Sequence, residues 1–499
     1  MRKSKIFFPY EKSASIDLVY SLVTNHSIKA KTIVELSLNK FYNRQYSSLT
    51  RAINGYYSPR AQKEGNEDAR KNTRHKIYNF LFESATERKR DVYPFVIDVT
   101  GNIKKHSSKS PDRGHIHSGS IAGMSIGHYY SFICLKDMDS WMLPVAIDRI
   151  PFGENKMEFS VSQIAPIFKK IPKDSIGLCM GDSAYSCNKF VQPLYKIDNV
   201  VTITRARRNK AIYKKYIDKK EGSGRKRHYG KKSKLNDPDS LPTRDFAEEF
   251  EEVLKNGSIQ TVRLSVYEGY ICRGSKDYQM SDVEVNFVKL EILKENGERK
   301  YDRDLWIEVV GKKKDEISPR DVYLHYKSRF DIEHFLKFGK SKLLMDKFQS
   351  SNPARDEDFM MFGAIAYHIL CKCSDLLKGY QIRPWENKER LNLKSPSNIY
   401  RAASYSGIFD NIYQDDLKKR GIPDERNIRK SFAKKENKPI MRKAKDPSKL
   451  SIEIKSTFGN DTSFSKTSIN TQQESKEIFR KKILGKADEI YDKIHTKVA

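Results

Sequence analysis

The sequence predicts an α/β fold whose core is interrupted by a β-rich insertion and flanked by a helical N-terminal region and a basic tail. Three observations predict it. Between about residues 91 and 206, apolar runs of strand length alternate with segments of helical period. A series of alternating, strand-like patterns then separates this stretch from two further helical segments. Charge is segregated along the chain: Lys and Arg number 94 against 64 Asp and Glu, a formal net charge of +30, and the excess concentrates in a few segments. With 499 residues, 38% of them hydrophobic, the chain has room for two to four structural units and a large core.

Residues 1–90 read as a helical N-terminal DNA-binding domain of short helices and polar loops. SIDLVYSLVTN and KTIVELSLNKF repeat apolar residues at helical spacing, and Ser47 or Ser48 can cap a further helix. Arg44, Arg51 and Arg60 beside them suit a helix-turn-helix that grips DNA; a plain helical packing domain suits the same pattern.

Residues 91–206 form the first part of the core. YPFVIDVTG reads as a buried strand, and GHYYSFICLKD and WMLPVAIDRI as two more, joined by a tight turn around Asp137–Ser140. NKMEFSVSQIAPIFKKI is helical, IGLCMGDSAY a strand, CNKFVQPLYKI a helix and NVVTITRAR a fifth strand. Three strands, helix, strand, helix, strand is the order of a ribonuclease-H-like α/β core, although periodicity alone does not single that fold out.

Residues 207–315 are the basic loop and β-rich insertion. Residues 205–234 carry 14 basic and 2 acidic side chains, including GSGRKRHYGKKSK, and read either as a mobile DNA-facing loop or as a solvated linker. An acidic stretch with Asp245, Glu248, Glu249, Glu251 and Glu252 follows. TVRLSVYEGYIC, VEVNFVKLEIL and DLWIEVVG then alternate like strands.

Residues 316–380 return to the core. ISPRDVYLHYKSRFDIEHFLKFGKSKLL reads as one long helix, capped by Ser318 with Pro319 at its first position, and DEDFMMFGAIAYHILCKCSDLL as a second, buried one. Residues 381–499 form a basic, partly disordered C-terminal region: 418–449 hold 13 basic and 4 acidic residues, and 455–475 are rich in Ser, Thr, Asn and Gln. ESKEIFRKKILGKADEIYDKI near the end has the pattern of an amphipathic helix.

The charge draws in polyanions, so nucleic acid is the expected partner. No run of about 18 apolar residues is present, so no membrane-spanning helix is expected. MRKSKIFFPYEKS lacks the apolar core and cleavage site of a secretory signal, and a cytoplasmic protein is expected. The cysteines Cys134, Cys179, Cys187, Cys272, Cys371 and Cys373 form no CxxC pair, which argues against a zinc finger or disulfide framework. His106, His115 and His117 read as a polar loop, Ser223 lacks the follow-on of a phosphate-binding loop, and Ser183 lacks a nucleophile-elbow context.

Three carboxylates stand out. Asp98 interrupts an apolar strand and Asp182 ends another; such placements are costly unless the group is paired or binds a metal, though each can also cap a turn. On the helix after the insertion, Tyr326, Arg329, Glu333 and Lys340 fall within roughly 60° of one face at about 100° per residue. Arg329 can fork a phosphate and Lys340 can offer a point charge, while an ordinary Arg–Glu ion pair explains the same spacing.

The string Y-(2)-R-(3)-E-(6)-K, read as Tyr326, Arg329, Glu333 and Lys340, resembles the signature of the DDE transposases of bacterial insertion sequences of the IS-four type. YKSRFDIEHFLKFGK around it, Asp98 in IDVTG and Asp182 in GDSAY resemble that family too, over roughly residues 91–375. The resemblance implies a ribonuclease-H-like core in which Asp98, Asp182 and Glu333 are catalytic and bind two Mg²⁺ ions, with Mn²⁺ able to substitute. It implies that Tyr326, Arg329 and Lys340 grip end phosphates. Trp306 matches a position that stacks on a flipped base in hairpin-forming relatives; a core residue of a strand is the equal alternative. The implied activity is cut-and-paste transposition: binding of element ends in double-stranded DNA as a homodimer, hydrolysis, and joining of the 3′-hydroxyl to target DNA. A nuclease of the same fold that does not join strands, and a catalytically silent DNA-binding derivative, are the rival expectations.

Overall fold

The computed structural model describes residues 12–39, 41–42, 44, 47–53, 67–118, 123–137, 141–216, 228–254, 257–378, 385, 393–407, 438 and 440–441. Arg60, Ser223, the turn residues 138–140, the centre of the basic run and the final amphipathic segment lie outside them. No described helix is long and apolar enough to cross a membrane.

Four helices open the chain: α1 (Lys12–Val23), α2 (Ile33–Leu36), α3 (Ser48–Ile53) and α4 (Glu67–Ala85). A capping box starts α2, where Thr32 accepts from the Glu35 amide and Glu35 reaches back to the Thr32 amide. The described N-terminal segments are helical, although the second makes only one turn. Arg44 lies 3.3 Å from buried Asp17, and Arg51 donates to Ser48 Oγ, so both guanidinium groups have partners within the helical layer.

The described strands are β1 (Val92–Ile103), β2 (Gly114–Ser118), β3 (Gly123–Lys136), β4 (Met142–Ile150), β5 (Ile176–Gly181), β6 (Val200–Arg205), β7 (Ala211–Lys215), β8 (Tyr229–Lys234), β9 (Phe246–Val253), β10 (Ile259–Ile271), β11 (Val285–Lys294) and β12 (Leu305–Gly311). Helices α5 (Lys156–Phe168) and α6 (Asn188–Tyr195) link β4 to β5 and β5 to β6. After β12 come α7 (Pro319–Ser328), α8 (Asp331–Ser341), α9 (Pro353–Lys372), α10 (Ser374–Leu377) and α11 (Pro396–Tyr405).

All twelve described strands share one mixed sheet, ordered β2-β3-β1-β5-β6-β12-β11-β10-β7-β8, with β4 beside β3 and β9 beside β10. β1, β3 and β4 are antiparallel neighbours, while β5 and β6 run parallel to β1. The insertion is thus no separate body: its last strand, β12, hydrogen-bonds to β6, and β11 and β10 continue the sheet.

Four local readings change. The described ends of the basic run 205–234 form the antiparallel strands β7 and β8 rather than a loop or linker. His115 and His117 belong to edge strand β2 rather than to a loop. The acidic stretch is edge strand β9, whose charges alternate across the pleat. The long helix is two helices, broken at Arg329 and Phe330, where the amides of Ile332 and Glu333 bond three residues back to the carbonyls of Arg329 and Phe330.

Helices cover both faces of the sheet, as its buried strands require. On one face Phe95 meets Phe82 of α4 and Phe168 of α5. On the other, Phe132 packs against Phe335 of α8, and Phe335 against Tyr367 of α9. Asp98 pairs across the ladder with Phe132, so its side chain belongs to the α8 face.

Candidate active site

Strand register brings the two aspartates together. β1 and β5 are hydrogen-bonded parallel neighbours with Val96 opposite Met180, so Asp98 on β1 and Asp182 just beyond β5 stand at the same level. Asp182 is the first residue past β5, and its carboxylate accepts from the Ala184 amide at 2.8 Å, which folds the loop tightly. Gly181 permits this fold: a Cβ there would meet the Tyr185 side chain at 2.7 Å. Glu333 lies in the first turn of α8, on the face to which Asp98 belongs.

The electrostatics register this convergence. Burial pushes the Asp98 carboxyl up to about 6, and the charge on Asp182 pushes it the same way. The Val99 amide, 2.8 Å away, and the Arg329 guanidinium pull against them, and Glu333 adds a further push upward. Asp98 therefore senses both other carboxylates.

Arg329 sits at the break between α7 and α8. Its guanidinium lies over the Phe330 ring at 4.4 Å and 5.5 Å from the Tyr326 ring centre, and 3.8 Å from the Glu333 carboxylate. Its buried Nε has no hydrogen-bond partner among the described residues. Tyr326 is buried beneath it. Lys340 stands close to Asp98: its ammonium donates to Thr100 Oγ1 at 2.7 Å and to the Gly101 carbonyl at 3.2 Å, which ties α8 to β1. Burial lowers its pKa, and Asp346 and Asp98 oppose the shift. Tyr326, Arg329 and Glu333 thus form one contact group, and Lys340 braces the strand that carries Asp98. Trp306 is only 2% exposed and packs against Tyr267 at 5.3 Å, the placement of a strand core residue.

Among the described residues no three His, Cys, Asp or Glu side chains close into a metal-holding group. The donors of the triad are nonetheless all carboxylate oxygens, the ligands a hard divalent cation takes, and the repulsion felt by Asp98 is what such a cation offsets. Glu333, 61% exposed beside Arg329, is the member standing off.

Beside Tyr326, a cleft of about 710 Å³ is lined by Arg205, Lys300, Tyr301, Arg303, Lys327 and Phe330 among others. Cations interleaved with aromatic rings suit a nucleic-acid strand. Sequence reasoning missed a second feature, the buried carboxylate of Glu308 on β12, which accepts from Lys210 and from Ser186 of the Asp182 loop. The signal was available: Glu308 interrupts an apolar strand just as Asp98 does.

Residues 161–369 match the family profile described as "Transposase DDE domain", a stretch that contains Asp182 and Glu333 and begins after Asp98. No curated protein matches the chain. Among solved structures, the chain is similar to a piggyBac transposase synaptic complex with hairpin DNA, at 10% identity and a TM-score of 0.36, covering 87% of this chain and 78% of that one.

Proposed function

We propose that the protein is a DNA transposase that cleaves phosphodiesters at Asp98, Asp182 and Glu333 and joins the freed 3′-hydroxyl ends to target DNA. The observation that carries the reading is that Asp98 on β1 and Asp182, just past the end of the parallel neighbour β5, fall at one level, with Glu333 felt by Asp98. The strand order β4-β3-β1-β5-β6 supports a ribonuclease-H-like core, and the match to a transposase DDE domain supports the chemistry.

Asp98, Asp182 and Glu333 would hold two Mg²⁺ ions, with Glu333 leaving Arg329 to join them. Such a pair, when bound, activates the attacking oxygen and steadies the leaving one. The protein's own groups do the rest. Arg329 is held on aromatic rings with its guanidinium beside the Glu333 carboxylate, where a forked donor can meet a phosphate once Glu333 moves away. The basic, aromatic cleft at Tyr326 receives the strand beyond it. Water and then a 3′-hydroxyl attack in turn, with no protein nucleophile and no covalent link between chain and DNA. A homodimer assembled on two DNA ends fits a reaction that joins both.

The test is Mg²⁺-dependent cleavage of duplexes that carry the DNA flanking the reading frame. Single Ala substitutions at Asp98, Asp182 and Glu333 are expected to abolish cutting and spare binding; robust cutting by any of them overturns the reading. Strand-transfer products on a plasmid target separate a transposase from a nuclease, and Mg²⁺ binding without cleavage by the unaltered chain identifies a silent derivative.

A further inference from the structure

We infer that Ser186, Lys210 and Glu308 form a clamp that positions Asp182 from the insertion side of the sheet, so that the insertion sets the geometry of the second catalytic carboxylate. The inference rests on the assignment of Asp182 to catalysis above. Glu308 lies mid-strand in β12, opposite Thr204 of β6, and is 1% exposed. Its Oε2 accepts from Ser186 Oγ and from Lys210 Nζ, and Lys210 Nζ also donates to Ser186 Oγ at 3.0 Å. Three segments meet on one carboxylate: the loop after Asp182, the connection that begins the insertion, and the strand that ends it.

A buried ion pair is not needed for stability, because apolar side chains of similar size stabilise a core as well or better. An apolar trio cannot fix the direction of a loop, whereas a charged acceptor with two donors can. The loop has little slack in which to escape. Its Tyr185 is buried edge-on against Phe190 at 4.8 Å, its amide donates to the Asp182 carbonyl at 3.2 Å, and Ser186 follows at once. With Tyr185 and Ser186 both fixed, Asp182 has one orientation at the end of β5. Ser186, Lys210 and Glu308 are positioning residues; none of them is a member of the triad.

The experiment compares the full-length chain with Ser186→Ala, Ser186→Thr and the double variant Lys210→Met/Glu308→Leu. Metal-free hydrogen exchange is read over residues 182–190. Loop amides in Ser186→Ala are expected to exchange about 10-fold faster or more, with unchanged protection in β12. Ser186→Thr restores protection. The double variant melts like the wild type yet keeps the loosened loop, an outcome that a merely structural role does not give. In plasmid nicking, the Mg²⁺ concentration for half-maximal rate is expected to rise about 10-fold in Ser186→Ala, in the range seen when groups that orient metal ligands are removed. Unchanged loop exchange in Ser186→Ala overturns the clamp, as does an unchanged Mg²⁺ requirement in a chain that nicks. A wild-type chain that nicks no DNA overturns the transposase reading instead, and the exchange result still decides the clamp.

Discussion

Two clusters of three carboxylates are treated in opposite ways by the same fold. At the start of α9, Asp356, Glu357 and Asp358 are buried among cations: Arg70 and Arg74 of α4 each reach Glu357 at 2.5 Å, and Lys104 lies 3.1 Å from Asp356. At the candidate active site, burial and the charge of Asp182 hold the Asp98 carboxyl up, Arg329 pulls against them from beside the outermost member, Glu333, and the Lys340 ammonium is tied to Thr100 and Gly101. The first cluster joins the helical N-terminal layer to the core. The second leaves Asp98 under the repulsion of two neighbouring carboxylates. Equal numbers of acids are therefore neutralised to different degrees, and the difference lies in where the guanidinium groups stand.

Within the paired cluster the division of partners is uneven. Glu357 is drawn down to about 2, because Arg74, Arg70 and Arg149 together outweigh the strong upward push of burial. Asp358 is pushed up to about 6, since burial dominates and its contact with Arg70, at 3.3 Å, is longer. The largest effect predicted is therefore at Glu357. Glu357→Gln should cost about 3–5 kcal/mol at neutral pH, the usual penalty for stranding buried charges, read by denaturant unfolding. A carboxyl held below its ordinary value contributes stability that is present above about 4.5 and is lost as pH falls through about 2. The gap between wild type and Glu357→Gln should accordingly narrow below pH 4.5. Asp358 has the opposite sign: its contribution is present at low pH and lost as pH rises through about 6, so Asp358→Asn should cost much less than Glu357→Gln at pH 7. Equal costs for the two would break the comparison.

The candidate-site cluster should respond in reverse. Asp98→Asn removes a buried charge and the repulsion from Asp182, so it should raise stability by about 1–2 kcal/mol in metal-free buffer while eliminating cleavage. Added Mg²⁺ should raise the melting temperature of the wild type and leave that of Asp98→Asn nearly unmoved, since binding to the native state alone stabilises it. A destabilised Asp98→Asn in the absence of metal would show that the carboxylate is structural.

Lys340 sharpens the same contrast at a smaller scale. The hydrogen bonds from its ammonium to Thr100 and Gly101 make it part of the frame around Asp98. Lys340→Met should lose about 1–2 kcal/mol of stability and leave the salt dependence of DNA binding unchanged. A shallower salt dependence with unchanged stability would return Lys340 to the phosphate-gripping role that its motif suggests.

What the sequence made legible was what local pattern controls. The five core strands and the buried helix α9 announced themselves through apolar runs, and Asp98 through its intrusion into one of them. The break after Ser328 was invisible because neither Gly nor Pro marks it; Arg329 turns inward onto Phe330 and Tyr326, a choice made by tertiary packing. Strands β2 and β9 were hidden because edge strands carry polar and charged residues against further pairing. The pairing of Arg70 with Glu357 joins positions 287 apart, and no spacing rule reaches that far.

The insertion repeats the contrast at its surface, and there the smallest effect is expected. Hairpin β7–β8 exposes Lys215, Lys231, Lys232 and Lys234, whereas β9 exposes Glu249 and Glu251. Exposed Lys and Arg side chains contribute little to folding but release counterions when they meet phosphates. Replacing Lys231, Lys232 and Lys234 together with Gln should leave the melting temperature within about 1 °C of the wild type, as surface substitutions do. The slope of log affinity against log salt should become shallower by about 0.9 for each phosphate that the variant no longer neutralises. Glu249→Gln/Glu251→Gln should leave that slope as it is or steepen it, because removing acids from the surface strengthens the attraction for DNA. If the lysine and glutamate variants shift the slope alike, the field of the whole chain governs DNA binding and the β7–β8 ribbon does not itself touch the phosphates; a change confined to the lysines places that ribbon on the phosphate backbone.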